Sequence, residues 1–231
     1  RPILHDQGSR QGPISPELVD EVRAAADQAD VDYLIEEIPR AIEHSLEGVA
    51  RVTEIVRAMK EFSHPTEEKT PTDLNRAIDS TITVARNEWK YVAEMVTDLD
   101  PELPAVPCLP GDFNQVVLNL IINAAHAIAD VVGDGLSGKG TITVSTRQTG
   151  DWVEIRVTDT GTGIPENIQN KIFDPFFTTK EVGKGTGQGL SIAHAVVVKK
   201  HGGTISVDSV DGEGTCFLIR LPMIDRAEDA A

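Results

Sequence analysis

The chain has 231 residues, 40% hydrophobic and 4% aromatic, with 37 acidic against 21 basic side chains and a formal net charge of −16. That length holds one full core plus a smaller element, built mainly from Val, Ile, Leu and Ala. Such an acidic surface repels the phosphates of nucleic acid and anionic lipid, so neither is expected as a partner. No apolar run approaches the roughly 20 residues that a bilayer span needs, and no secretory signal opens the chain. A membrane anchor is therefore expected only outside this stretch. Cys108 and Cys216 lie far apart without metal-site spacing, and read as two reduced thiols of an intracellular protein.

Residues 1–15 have no period and read as a frayed terminus. At Ser15-Pro16-Glu17 a helix begins, with a hydroxyl cap and proline at the first helical position. Further on, Val31, Ile35, Ile38, Ile42, Ser45, Val49, Val52, Val56 and Met59 step by four and three in alternation. All but Ser45 are apolar, and Leu34, Leu46, Ile55 and Phe62 widen the stripe. A helix with this face belongs in a bundle or coiled coil and does not stand alone in water. Residues 16–65 are therefore expected to form a dimerisation region pairing through helix 31–62, with folding back onto the following domain as the alternative. Pro39 either starts the strong part of that helix or kinks it. Residues 66–71 read as a polar linker.

Residues 72–223 are expected to form an α+β domain, followed by a tail at 224–231. Thr72-Asp73 caps a helix running to about Arg86. A strand follows at 92–99, then a loop marked by Pro101, Pro104 and Pro107, then a long amphipathic helix at 111–131. After a glycine-rich turn at 133–140, strands 141–146 and 152–158 flank Thr149-Gly150-Asp151 as a hairpin. A helix at 190–200 stops at His201-Gly202-Gly203. Strands 204–209 and 215–221 make a last hairpin. Strands and helices do not alternate one for one, so a mixed, largely antiparallel sheet with helices on one face is expected.

Four short segments carry the chemistry. In the long helix, Asn119 and Asn123 lie one above the other, with His126 a near-turn further on. Two amides on an apolar helix either cap a neighbouring strand or serve a ligand. Asn123 has a carbonyl oxygen suited to Mg²⁺ shared with phosphates, and His126 either meets a phosphate oxygen or packs. Asp159-Thr160-Gly161-Thr162-Gly163-Ile164-Pro165 ends a strand, and its carboxylate is either a turn former or an acceptor for an adenine amino group. Phe173–Val182 reads as a mobile lid latched by Phe173, Phe176 and Phe177, with Lys180 reaching phosphate. Glycines at 183, 185, 187 and 189 match neither G-x-G-x-x-G nor a P-loop. They feed a helix whose first amides suit an anion.

In this order the four segments resemble the N, G1, F and G2 boxes of sensor histidine kinases. The resemblance covers residues 72–222, and Asp211–Pro222 also resembles that family's final hairpin. It implies a Bergerat-type ATPase α/β sandwich preceded by a long dimerisation helix, binding ATP and Mg²⁺. It further implies that Asn123 ligates Mg²⁺ and that Asn119 faces the γ-phosphate, both serving catalysis. Asp159 would read adenine in a pocket shaped by Gly161, Gly163 and Ile164. His126, Phe173, Lys180, Gly185, Thr186, Gly187, Gln188, Gly189, Leu190 and Thr215 would complete the nucleotide contacts. His126 stands where relatives often carry a basic residue, and Gln188 where many carry Leu.

The reaction implied is transfer of the ATP γ-phosphoryl group to a histidine, then to an aspartate of a response-regulator receiver domain, in a cytoplasmic homodimer. Family acceptors lie in a pattern like His-Glu-hydrophobic-Asn/Arg-x-Pro. None of His5, His44, His64, His126, His194 or His201 is followed by it. The chain is therefore expected to begin after the acceptor, to bind ATP, and not to phosphorylate itself. Two rivals stand beside this reading. A clamp-type ATPase of the same superfamily would carry an acidic residue at 119, where this chain has Asn. A nucleotide-sensing dimerisation scaffold would have a decayed site, against which Asn123, Asp159 and the glycines weigh.

Overall fold

The computed structural model describes residues 15–31, 33–43, 45–46, 49, 68–133, 138–179 and 187–224. It divides into two compact units, Arg1–Val52 and Thr53–Ala231.

In the first unit, α1 (Pro16–Gln28) is capped by the Ser15 hydroxyl, which accepts from the Leu18 N–H at 3.3 Å. The chain is helical again in α2, through 33–43 and at 45, 46 and 49. Helix continues on both sides of Pro39, so that proline does not start it. The apolar stripe expected from spacing is exposed, with Val31, Leu34, Ile35, Ile38, Ile42, Leu46 and Val49 all open to solvent. Val52, Ile55, Val56, Met59 and Phe62, the rest of that stripe, lie outside the described residues.

The second unit is built on a five-stranded sheet in the order β2 (Ala93–Asp98), β4 (Gly140–Thr149), β5 (Trp152–Asp159), β7 (Gly214–Pro222), β6 (Thr204–Val210). β2 runs parallel to β4 and every other pairing is antiparallel. Alternation sends Ile142, Val144, Val153, Ile155, Val157, Phe217, Ile219 and Leu221 to one buried face. Against that face lie α3 (Leu74–Val84), the short α4 (Arg86–Trp89), and α5 (Pro110–Val132). α5 is the spine of the domain. Proline opens it, and Phe113, Val116, Val117, Leu120, Ile121, Ala124, Ala125 and Ile128 make its buried stripe. By length and hydropathy alone α5 could cross a membrane, against the expectation that no segment qualifies. Here it is the core helix of the domain, with its apolar stripe turned to the sheet.

One pairing escaped the sequence. Residues 70–72 form strand β1, antiparallel to β3 (Val106–Cys108), where a linker and a loop were expected. Three-residue strands with Pro71 opposite Pro107 show no alternation long enough to read. After α6 (Glu166–Gln169), α7 (Gly189–His194) continues into a π-helical turn at Ala195–Lys200, where an ordinary helix was expected.

The end of that turn is fastened to the start of α5 by His201. Its Nε2 accepts the Leu109 N–H at 2.9 Å, and its Nδ1 lies 2.9 Å from the Val196 carbonyl, so Nδ1 carries the proton. Lys200 also pairs with Asp112 at 2.7 Å. Burial is the main force holding the His201 pKa below its ordinary value; Lys69 and Lys200 add to it and Asp112 opposes it. A lowered histidine pKa means the folded state binds fewer protons than the unfolded one near pH 6. Its contribution is complete above about pH 6.5 and is lost as pH falls through the folded pKa. Thermal unfolding should therefore show a larger loss of Tm between pH 7 and 5 in the native protein than in His201→Gln.

Candidate nucleotide site

Three successive turns of α5 gather the chemistry-bearing segments. At the first, Asn119 donates from Nδ2 to the Gly189 carbonyl at 3.1 Å, and its Oδ1 accepts from Gln115 Nε2 at 3.0 Å. This fastens the start of α7. One turn on stands Asn123, half-buried, its side chain without a hydrogen bond to any described residue. At the third turn the Ala127 carbonyl accepts the Thr162 N–H at 3.2 Å, so the turn after β5 docks directly on the helix. The apolar residues around the two asparagines divide. Ile121 and Ala125 are buried, while Leu118 and Ile122 are partly so. His126 lies with Nε2 4.0 Å from Glu88 of α4. Its ring thus has a carboxylate neighbour that the phosphate reading did not anticipate.

Asp159 ends β5, paired across to Ile142 and Thr215. It is 6% exposed and has no cationic partner among the described residues. Its Oδ1 accepts the Gly161 N–H at 2.8 Å, and the Thr215 backbone also bonds to the carboxyl group. Burial raises its pKa to about 6, with the two backbone hydrogen bonds opposing. Folding at neutral pH therefore sustains a buried, uncompensated anion, at a cost on the order of 2–3 kcal/mol.

The 160–164 turn is fixed from both sides. A Cβ on Gly161 would lie 2.6 Å from Ala127, and one on Gly163 (φ +68°) would run into the Val210 carbonyl. Gly212 donates to the Thr162 carbonyl at 2.7 Å, and Ile164 N–H donates to Ser209 Oγ at 2.8 Å. Ser209 Oγ in turn bonds the Gly214 carbonyl and lies 3.0 Å from the buried Thr215 hydroxyl. Thr215 is thus part of the frame behind Asp159.

The three phenylalanines behave differently. Phe173 packs on the core, its ring 5.3 Å from that of His194 and edge-on to Phe217. Phe177 also packs against the core, whereas Phe176 is 70% exposed and its ring packs on none of the described core residues. The Phe176 backbone does the holding. It takes φ +67° and donates its N–H to the Gly187 carbonyl at 3.0 Å. Gly187 (φ +63°) sits so close that a Cβ would lie 2.5 Å from the Phe176 carbonyl carbon. Gln188, an exposed residue, precedes α7, and Leu190 is half-buried against the core. Lys180, Gly183, Gly185 and Thr186 lie outside the described residues. Sequence reasoning missed Gln115, Ser209 and Ala127. Their roles rest on backbone or amide contacts, which leave no mark in residue spacing.

Known proteins fit this arrangement. The family model described as "Histidine kinase-, DNA gyrase B-, and HSP90-like ATPase" matches residues 109–225. The sensor kinase CckA of Brucella abortus (strain 2308) is 41% identical over 155 residues, covering 59% of this chain and 15% of that protein. The sensor histidine kinase ZraS of Escherichia coli (strain K12) is 34% identical over 175 residues, covering 75% of this chain and 35% of that protein. The solved catalytic domain of the histidine kinase ThkA superposes with a TM-score of 0.58 at 30% identity, covering 68% of this chain and 96% of that one. This chain belongs to the histidine kinase-, gyrase B- and HSP90-like ATPase family, and its mixed five-stranded sheet with helices is that family's fold. Within the family it carries the ATP-binding catalytic domain of a sensor histidine kinase. The chain spans only a small part of the curated kinases it matches.

Gly163 in the 160–164 turn and Gly133 at the end of α5 should be separable by stability. Gly163→Ala meets both a left-handed φ and the Val210 carbonyl, and should lower stability by several kcal/mol, on the order of 2–4. Gly133→Ala, also at positive φ but in open space, should cost about 1 kcal/mol. Urea unfolding of both variants checks the difference.

Proposed function

We propose that residues 72–224 bind Mg·ATP and deliver its γ-phosphoryl group to a histidine of a sensor kinase, for relay to a response-regulator aspartate. The observation that carries this reading is α5 itself. Within three turns it holds the start of α7, the Asn123 amide and the turn that follows Asp159. In this reading Asp159 accepts from the adenine amino group, with the Gly161 turn packed close against α5 behind it. Asn123 offers its carbonyl oxygen to Mg²⁺. The donor chemistry suits that ion: it needs few protein ligands when phosphates supply the rest, and among the described residues no cluster of three His, Cys, Asp or Glu competes for it. When bound, Mg²⁺ would offset negative charge on the phosphates. This chain's own residues orient the nucleotide and exclude water, which is most of what phosphoryl transfer asks of a protein. Gly187, Gly189, Leu190 and Gln188 border the phosphate side, together with Lys180, Gly185 and Thr186. We place the protein in the cytoplasm as a homodimer paired through the exposed stripe of α2. Asn at 119 favours transfer over the water activation of a clamp-type hydrolase.

Titration calorimetry tests the site. Mg·ATP binding should be lost in Asp159→Asn and weakened at least tenfold in Asn123→Ala, with the fold intact. Incubation with a supplied acceptor helix should transfer label from γ-labelled ATP to its histidine. Steady release of inorganic phosphate without labelled helix would favour the hydrolase instead.

The Asp159 pKa sets a pH dependence. The ionised carboxylate accepts from adenine, so affinity should be flat above about pH 7. Below the free-site pKa near 6 it should fall by up to tenfold per unit. Adenosine is the suitable probe because it carries no ionising phosphate.

A further inference from the structure

The two asparagines of α5 differ in what already holds them, and the difference traces to Gln115. The Gly189 carbonyl can only accept, so Asn119 must turn its NH₂ toward it, at 3.1 Å. That leaves Oδ1 on the other side, where Gln115 Nε2 donates to it at 3.0 Å from one turn earlier on the same helix. Gln115 and the Gly189 carbonyl thus hold the amide in one of its two orientations from opposite sides. With Oδ1 turned to Gln115 and one Nδ2 hydrogen given to Gly189, Asn119 keeps one N–H to offer. Asn123, one turn on, has its carbonyl oxygen uncommitted among the described residues.

We propose that Gln115 is a positioning residue that fixes Asn119 as a hydrogen-bond donor facing the terminal phosphate, and so gives the site its preference for ATP over ADP. The proposal rests on the nucleotide reading above and deepens it. An amide held by Gly189 alone would flip more readily and present its oxygen to the phosphate for part of the time, and two acceptor oxygens facing each other repel. The same bond steadies Gly189, so the start of α7 and the phosphate-facing donor are set together. A donor at position 115 is what the arrangement requires, not glutamine as such. A carboxylate there would capture the spare N–H of Asn119 and turn its oxygen outward.

The test compares Mg·ATP with Mg·ADP on one set of variants. Gln115→Met, neutral and of similar length, should lower ATP affinity about tenfold while changing ADP affinity by less than about twofold. Gln115→Glu should lose more, and should keep that loss at high salt, where simple charge repulsion is screened. Gln115→Lys, which still donates, should restore the native ATP:ADP ratio. In the nucleotide-free protein, the Asn119 side-chain NH₂ signals should be sharp and protected in the native chain and broadened in Gln115→Met. Equal losses for ATP and ADP, or a lysine variant that behaves like the methionine one, would overturn the relay and leave the nucleotide site standing. Failure of the native chain to bind either nucleotide would remove both.

Discussion

Everything in the catalytic domain depends on one helix being presented edge-on to its own binding site. α5 buries one stripe against the sheet, and its adjoining flank fastens other segments at intervals of four residues. Asn119 takes Gly189, and the Ala127 carbonyl takes Thr162. Between these two moorings stands Asn123. Because 3.6 residues make a turn, an i, i+4, i+8 series stays on one flank while drifting only slowly. The apolar stripe and the polar flank are therefore two readings of one periodicity. The burial that stabilises the domain also sets the spacing of its ligand groups.

The same coupling explains why an unpaired carboxylate is tolerated at the end of the central strand. Among the described residues Asp159 has no cation beside it, only two backbone donors, from Gly161 and Thr215. Those donors exist because the 160–164 turn is pressed between α5 and the β6–β7 hairpin, at glycine positions where side chains would collide. A stiff frame thus holds an anion that a looser one would neutralise or hydrate. Replacing it with an arginine pair would be easy in principle. Arg156 and Arg220 do so for Glu154 on the opposite face of the sheet. That side of the sheet carries a conventional ion-pair cluster; the nucleotide side does not.

Much of this could be read from the chain. Both hairpins showed in period-two alternation across Thr149-Gly150-Asp151 and Asp211-Gly212, and α5 in its apolar stripe. The four boxes stood in order, and three of them meet along α5. What stayed hidden was set by tertiary contact. The β1–β3 pair offers three residues a side with prolines facing each other, too short for any pattern. Phe176 was expected to latch with its ring, yet its backbone does the work while Phe173 goes to the core. The π-helical turn and its His201 fastening depend on where α5 begins, 92 residues earlier in the chain. Gln115 carries no signal in residue spacing. Only the Gly189 carbonyl, 70 residues beyond Asn119, gives it meaning.

The parallel pairing of β2 with β4 makes α5 the crossover between them, and the moorings of the site reach far downstream of that crossover. Contacts of such long sequence separation carry a large loop-closure entropy and form late. During synthesis, a ribosome that has released only the first three strands of the main sheet displays the Asn123 helix and the Asp159 strand without the hairpin that braces their turn. Val210, Gly212 and Thr215 are the last parts of this frame to emerge. The bracing of the Asp159 turn is therefore completed in a single step, once the β6–β7 hairpin has left the ribosome.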